Sequence, residues 1–263
     1  MDRSFKEYIA NPLGNKNAVF SSREMYRNLY TNKFNLLMVR ENSKLEYKLY
    51  KDAKNYYIHL KIPSEKIKDF YYDVFIQFIP QKHSELERTL DNYKVKFYSN
   101  DPSFVFTFAH AFIKNNMFVD DLKPKMSKLA VKKDAKEKNP ENQIGYVKSL
   151  YFAYLFMKSR GLFNKVQYAA AYKYNQKEVL FNIMHADEKI QLRTEQAEAL
   201  VKKKKKEVVT KPNNLPNNSN GFGFGNFVKK VNTIGYTNTS NISKAFNKMK
   251  SRFVGKTKTT KRF

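Results

Sequence analysis

A chain of 263 residues with 22 Phe and 18 Tyr has the length and apolar content to bury a sizeable core, which excludes disorder throughout. It has no Cys, so disulfide, zinc-thiolate and thiol-nucleophile chemistry are excluded. Its formal net charge of +26 favours a polyanionic partner such as nucleic acid, an acidic protein surface or anionic lipid. That charge is unevenly spread, with +15 on residues 201–263 and +11 on residues 1–200.

The opening "MDRSFKEYIANPLG" lacks the apolar stretch of a signal peptide. Residues 1–16, punctuated by Asn11, Pro12, Gly14 and Asn15, read as an N-terminal arm ahead of a core domain over 17–200. In "SSREMYRNLYTNKF", Ser21 or Ser22 caps a short helix that carries Met25, Tyr26 and Leu29 on one face. From 34 to 79 the pattern turns to period two. "KLEYKLYKD" and "NYYIHLKIP" predict two strands joined by a hairpin loop, "KDAKN". A short helix is expected at 64–70, then strands in "FYYDVFIQFIP" and "YKVKFYS", with Pro63 and Pro80 at strand ends.

"SNDPSFVFTFAHAFIKNN" carries two periods at once. Phe104, Phe106 and Phe108 alternate as in a strand, whereas Phe104, Phe108 and Phe112 recur every four residues. Asp101 followed by Pro102 is a helix-start pair, which favours a buried helix over about 102–116. "DLKPKMSKLAVKKDAKEK" predicts a short basic helix. "NPENQIGYVKSLYFAYLFMKSRG" predicts a longer one, starting at Asn139 and Pro140 and capped by Gly161. Residues from 164 to about 208 predict one or two further helices, the last of them polar and reaching past the core. The longest apolar run, Leu150 to Met157, is too short to span a bilayer.

Residues 201–263 read as a Lys-rich, largely extended tail. Within it, 240–254 is a basic amphipathic segment, with Ile242, Phe246, Met249 and Phe253 on one helical face and Lys244, Lys248, Lys250 and Arg252 elsewhere. "NGFGFGNFV" at 220–228 is close to the central strand of an RNA-recognition motif, with Phe222 and Phe224 as the stacking pair. However, Asn220 stands where that motif places a cation, Gly225 and Asn226 break its end, and only 36 residues follow Phe227. The stretch is better read as a Gly-rich hinge whose Phe222, Phe224 and Phe227 dock on a partner. Gly221, Gly223 and Gly225 lack the spacing of a phosphate loop.

Chemical signatures are sparse. His59, His83, His110 and His185 form no pair at a spacing of three or four. His59 alternates outward from an apolar strand face, so exposure is expected. His110, in a Phe-rich segment, reads as a core histidine. Asp120 and Asp121, or Asp69 and Asp73, are the only hints of a metal-dependent nuclease, and paired Asp before a helix more often caps it. No Gly-x-Ser-x-Gly elbow is present. The chain is therefore read as a non-enzyme without cofactor or metal. Lys202, Lys203, Lys204, Lys205 and Lys206 form the strongest electrostatic feature. Together with Lys229, Lys230, Lys248, Lys250 and Arg252 they are the expected backbone-type contacts to nucleic acid or another polyanion. Phe222, Phe224, Phe227, Ile242, Phe246, Met249 and Phe253 are the expected partner anchors.

In the body, "NYYIHLKIPSEKIKDFYYDVFIQF" and "VKFYSNDPSFVFTFAHAFIKNN" resemble virion structural proteins of large tailed bacteriophages of low-GC Gram-positive hosts. The likeness spans roughly residues 11–175 and lies in segment order and Tyr/Phe/Lys/Asn usage. It implies a non-enzymatic assembly role at the head–tail neck, in the tail or inside the capsid. It also implies a homo-oligomer contacting other virion proteins, formed in the host cytoplasm and retained in the virion. The basic tail, argued from charge alone, would touch packaged DNA or neighbouring subunits. The fold expected is α+β: a small antiparallel sheet with packed helices and a long basic C-terminal extension. A non-specific nucleic-acid-binding protein of replication or packaging is the second expectation, and a metal-dependent nuclease the third.

Overall fold

The structure, a computed structural model, describes residues 3–10, 20–82, 86–132, 139 and 142–209. The chain is α+β, with a small five-stranded mixed sheet and packed helices. Strands β1 (Tyr47–Lys51), β2 (Tyr56–Pro63), β3 (Tyr71–Ile79) and β4 (Lys94–Ser99) form an antiparallel meander, as the period-two pattern predicts. A two-residue strand, β5 (Tyr172–Lys173), adds to β1 in parallel, giving the order β4-β3-β2-β1-β5. At the β1–β2 hairpin the Asp52 carboxylate accepts the backbone N–H groups of Lys54 and Asn55, each at 2.7 Å, which fixes the turn.

One sheet face carries Ile58, Leu60, Ile62, Val74, Ile76, Phe78, Val95 and Phe97, all buried. Helix α5 (Lys148–Ser159) packs on this face, and α2 (Phe20–Arg40) packs on α5, with the Phe34 and Phe152 rings 5.8 Å apart. The opposite face carries Tyr50, Tyr57, His59, Phe75 and Tyr98, and it is buried too. The Tyr174 ring stacks on Tyr57 at 4.1 Å, and its hydroxyl donates to Asp121 at 2.8 Å. The Tyr98 hydroxyl donates to the Lys125 carbonyl at 3.3 Å. A 3-10 segment, Asp120–Lys125, and the chain after Tyr172 thus cover this second face.

Residues 3–10 correct the expectation of an N-terminal arm. Ser4 and Glu7 form a reciprocal capping box. The Ser4 N–H donates to the Glu7 carboxylate at 2.8 Å, and the Glu7 N–H donates to Ser4 Oγ at 3.2 Å. It opens helix α1 (Phe5–Ala10). Phe5 and Tyr8 are fully buried, and the Val95 N–H donates to the Arg3 carbonyl at 2.9 Å. Burying two aromatic rings outweighs the cost of ordering so short a segment. Residues 11–16 lie outside the described residues.

Three local expectations also change, and the helix expected over about 102–116 forms. Helix α2 runs through Arg40, so period two does not begin at 34; Phe34 and Leu37, one helical turn apart, are buried. No helix forms at 64–70. Instead Ser64 Oγ accepts the N–H groups of Lys66 and Ile67 and holds a turn. Helix α5 starts at Lys148 rather than Pro140. The Asn139 side chain pins the preceding loop, donating to the carbonyls of Thr107 and Gln143 and accepting the Gln143 N–H. The 102–116 segment is helical, with a π turn at Phe104–Phe108 before α3 (Ala109–Lys114). This wider turn accounts for its double periodicity, burying Phe104 and Val105 while Phe106 stays exposed.

Gly161 ends α5 as the sequence predicts. Its φ is 64°, and the Leu162 and Gly161 N–H groups donate to the Met157 and Lys158 carbonyls at 2.8 and 3.3 Å, a Schellman cap. Nothing lies within 4 Å of a Cβ built there, so Gly161→Ala incurs only backbone strain. A loss of about 1 kcal/mol is expected in urea unfolding. An unchanged midpoint would contradict the left-handed cap.

Candidate polyanion-binding helix and a buried histidine–aspartate pair

After α4 (Lys128–Lys132), α5 and β5 come α6 (Gln176–Asn182) and α7 (Ala186–Val209). Helix α7 is seated by its first half. Ala186 is fully buried, Ile190 packs on the main core, and Leu192 and Ala197 pack on Ile67, Phe70 and Tyr72. The Lys189 ammonium sits 4.7 Å over the Phe70 ring, a cation–π contact. From Glu198 to Lys203 every residue is exposed, including Leu200 and Val201. At 1.5 Å per residue the 24-residue helix is about 36 Å long. This exposed stretch relies on strong helix formers, Ala, Leu, Glu and Lys.

Lys202–Lys206 all fall within α7. This corrects the boundary at 200/201, because residues 201–209 are helical and the compact unit runs to Thr210. Lys202 and Lys203 are exposed. Successive helical positions turn by about 100°, so five consecutive lysines encircle the helix instead of forming a stripe. Cations near a helix C-terminus also complement its dipole. The remaining expected contacts, Lys229, Lys230, Lys248, Lys250 and Arg252, lie outside the described residues. So do the expected anchors Phe222, Phe224, Phe227, Ile242, Phe246, Met249 and Phe253.

His59 overturns the expectation of exposure. It is 6% exposed, and its Nε2 lies 2.9 Å from Oδ1 of Asp73, itself 5% exposed. Asn100 completes the arrangement, donating from Nδ2 to Asp73 Oδ2 at 2.7 Å and accepting the Asp73 N–H at 2.8 Å. Burial opposes ionisation of Asp73. The His59 hydrogen bond and charge, the Asn100 amide and the charge of Lys189 more than offset it and hold the carboxyl below the usual carboxylate range. An ionised carboxylate only accepts, so Nε2 is the donor in this pair, and in the uncharged tautomer that leaves Nδ1 as an acceptor. His59 lines a cavity of about 310 Å³, together with Glu46, Tyr47, Lys48, Lys61 and Asn182. Lys61 Nζ is 2.6 Å from the exposed Glu46 carboxylate, whereas Lys48 has no side-chain partner among the described residues.

A second polar cleft, of about 230 Å³, lies where Ser64, Glu65 and Lys148 meet Asp101 and Arg193. Lys148 and Lys33 approach Glu65 at 2.9 and 3.7 Å. Burial raises the pKa of Asp101. Glu65 Oε1 and Arg193 Nε are buried without a partner, one acceptor and one donor that a trapped water would satisfy.

Asp120 and Asp121 do not act together. Asp120 pairs with Lys96 at 2.5 Å and Lys123 at 2.6 Å, and Asp121 accepts from Tyr174. Among the described residues no three His, Asp or Glu side chains are grouped to hold a metal ion. His110 is half-buried, with Nδ1 3.1 Å from the Val131 carbonyl. His83 lies outside the described residues. No described helix is long and apolar enough to cross a membrane. Comparison with protein-family models, with curated proteins and with solved structures finds no match to this chain.

Proposed function

We propose that this chain is a non-enzymatic assembly protein that grips a nucleic-acid backbone through the lysine-rich end of α7. The observation that carries the reading is the seating of that helix. Its first half is packed on the body at Ile67, Phe70 and Tyr72, its residues from Glu198 to Lys203 are exposed, and the run Lys202–Lys206 lies within the helix beyond that anchorage. A lysine is a compact point charge that meets phosphate without reading bases. Encircling lysines suit a backbone met from any side. Binding is therefore non-specific and salt-sensitive. A gel shift on duplex DNA of arbitrary sequence tests this. Retardation is expected at low salt and weakened by Lys→Gln at all five positions, and no shift at low salt would sink the proposal.

The assembly role rests on the resemblance to tailed-phage virion proteins. Under it the chain forms a homo-oligomer among other virion proteins, at the neck or tail, close to packaged DNA. An inventory of purified particles then contains it in stoichiometric amount. Absence from the particles leaves nucleic-acid binding in replication or packaging as the surviving role.

A further inference from the structure

Apart from α7, a buried, oriented histidine opens on a cavity beside an unneutralised lysine. His59 is fixed from behind by Asp73 and Asn100, so its ring cannot turn without breaking a 2.9 Å bond. Its only hydrogen-bond partner among the described residues is Asp73, met through Nε2, so Nδ1 faces the cavity side unbonded. Lys48 is paired in register directly across β1 and β2 from His59, which places the two side chains adjacent on one sheet face. Lys61 follows two residues along β2 on that same face.

The charge around the cavity is positive once its pairs are counted. Glu46 is matched by Lys61 and Asp73 by the charge of Lys189, leaving Lys48 in surplus. The Lys61–Glu46 pair is exposed, so its exchange for a stronger anion costs little. A cavity of about 310 Å³ admits a small ligand. An anion with several charged oxygens would take both ammoniums, and a hydroxyl on it would meet the Nδ1 lone pair.

We infer that this cavity binds a small phosphomonoester, its phosphate held by Lys48 and Lys61 and a ligand hydroxyl donating to His59 Nδ1. The occupant is a small molecule, because a volume of about 310 Å³ is at the lower end of small-ligand sites.

The test uses the full chain with ¹⁵N-labelled histidine. Imidazole resonances are followed by NMR while inorganic phosphate or 5′-AMP is added, and His59→Gln, which keeps a donor for Asp73, assigns the signal. Without ligand, Nε2 is expected to be the protonated nitrogen. Each probe should shift the His59 Nδ1 resonance saturably, with 5′-AMP the tighter if an ester is the preferred form. Lys48→Gln alters an exposed side chain and should fold normally while weakening binding by roughly five- to tenfold, the scale of one charge-assisted contact. Replacing Lys202–Lys206 with Gln should leave the shift intact, separating this site from α7. The inference is overturned if neither probe moves the His59 signal, if Lys48→Gln binds both as the wild type does, or if the shift disappears in the five-lysine variant.

Discussion

Phe5→Ala is expected to destabilise the protein by about 3–5 kcal/mol, the range for emptying a fully buried aromatic site. The Phe5 ring is 0% exposed and lies 4.9 Å from Phe97, 5.2 Å from Tyr154 and 5.8 Å from Phe163, each edge-on. Those three residues come from β4, from α5 and from the segment after it, so the ring joins parts of the fold far apart in sequence. Edge-on aromatic pairs add to the burial term. Tyr8 locks the same helix, its hydroxyl donating to the Gly145 carbonyl at 3.0 Å and accepting the Val147 N–H at 3.3 Å. A domain is typically stable by about 5–15 kcal/mol, so this one substitution removes a large share. Chemical denaturation measures it. A loss below about 1 kcal/mol, the level of a surface substitution, would return residues 3–10 to the status of an arm.

Asp73→Ala has an effect of similar size for a different reason. It strands two buried partners, the His59 ring and the Asn100 amide. Removing one member of a buried, hydrogen-bonded pair costs about 3–5 kcal/mol, because the partner's desolvation is no longer offset. Asp73→Asn keeps an acceptor for Asn100 and should cost less, about 1–3 kcal/mol. The pH dependence has a definite sign. The folded Asp73 pKa lies below its unfolded value, so its contribution is present in full above the unfolded pKa of about 3.9 and is lost as pH falls through the depressed folded pKa. The gap between wild type and Asp73→Ala is therefore expected to hold constant near neutrality and to narrow in strong acid. Parallel stability curves down to the lowest pH would show that Asp73 is not held ionised.

The meander and α5 were legible because their signals are strong and local. Alternation in 56–62 and 71–79 marks the strands, and Gly161 marks the helix end. The capping box of α1 is also written in the sequence, as Ser4-Phe5-Lys6-Glu7. A six-residue helix, however, is too short for its periodicity to stand out, and "NPLG" directly after it reads as loop. Alternation alone predicts one buried and one solvated face, which puts His59 in solvent. This sheet is covered on both, the second by Tyr174 and Asp120–Lys125, which are distant in sequence. Its partner Asp73 lies 14 residues away on the neighbouring strand, paired in register with Lys61. A search for histidines and carboxylates at helical spacing does not find such a cross-strand pair. The lysine run was legible both as charge and as the end of a polar helix reaching about 208, close to the observed end at Val209, although a run of like charges by itself favours extended chain. What carries α7 through it is the anchorage upstream, from Ala186 to Ala197.

The measurement that bears most directly on the proposed function is the salt dependence of DNA binding, for the wild type and for Lys202–Lys206→Gln in one titration. Each phosphate contact contributes about −0.9 to the slope of log K against log salt on duplex DNA. If the end of α7 grips the backbone, the variant binds more weakly at low salt and its slope is shallower by as much as about 4 to 5, with no dependence on sequence. Equal affinities and equal slopes for the two proteins would contradict the account, because the lysines of α7 would then make no contact with DNA.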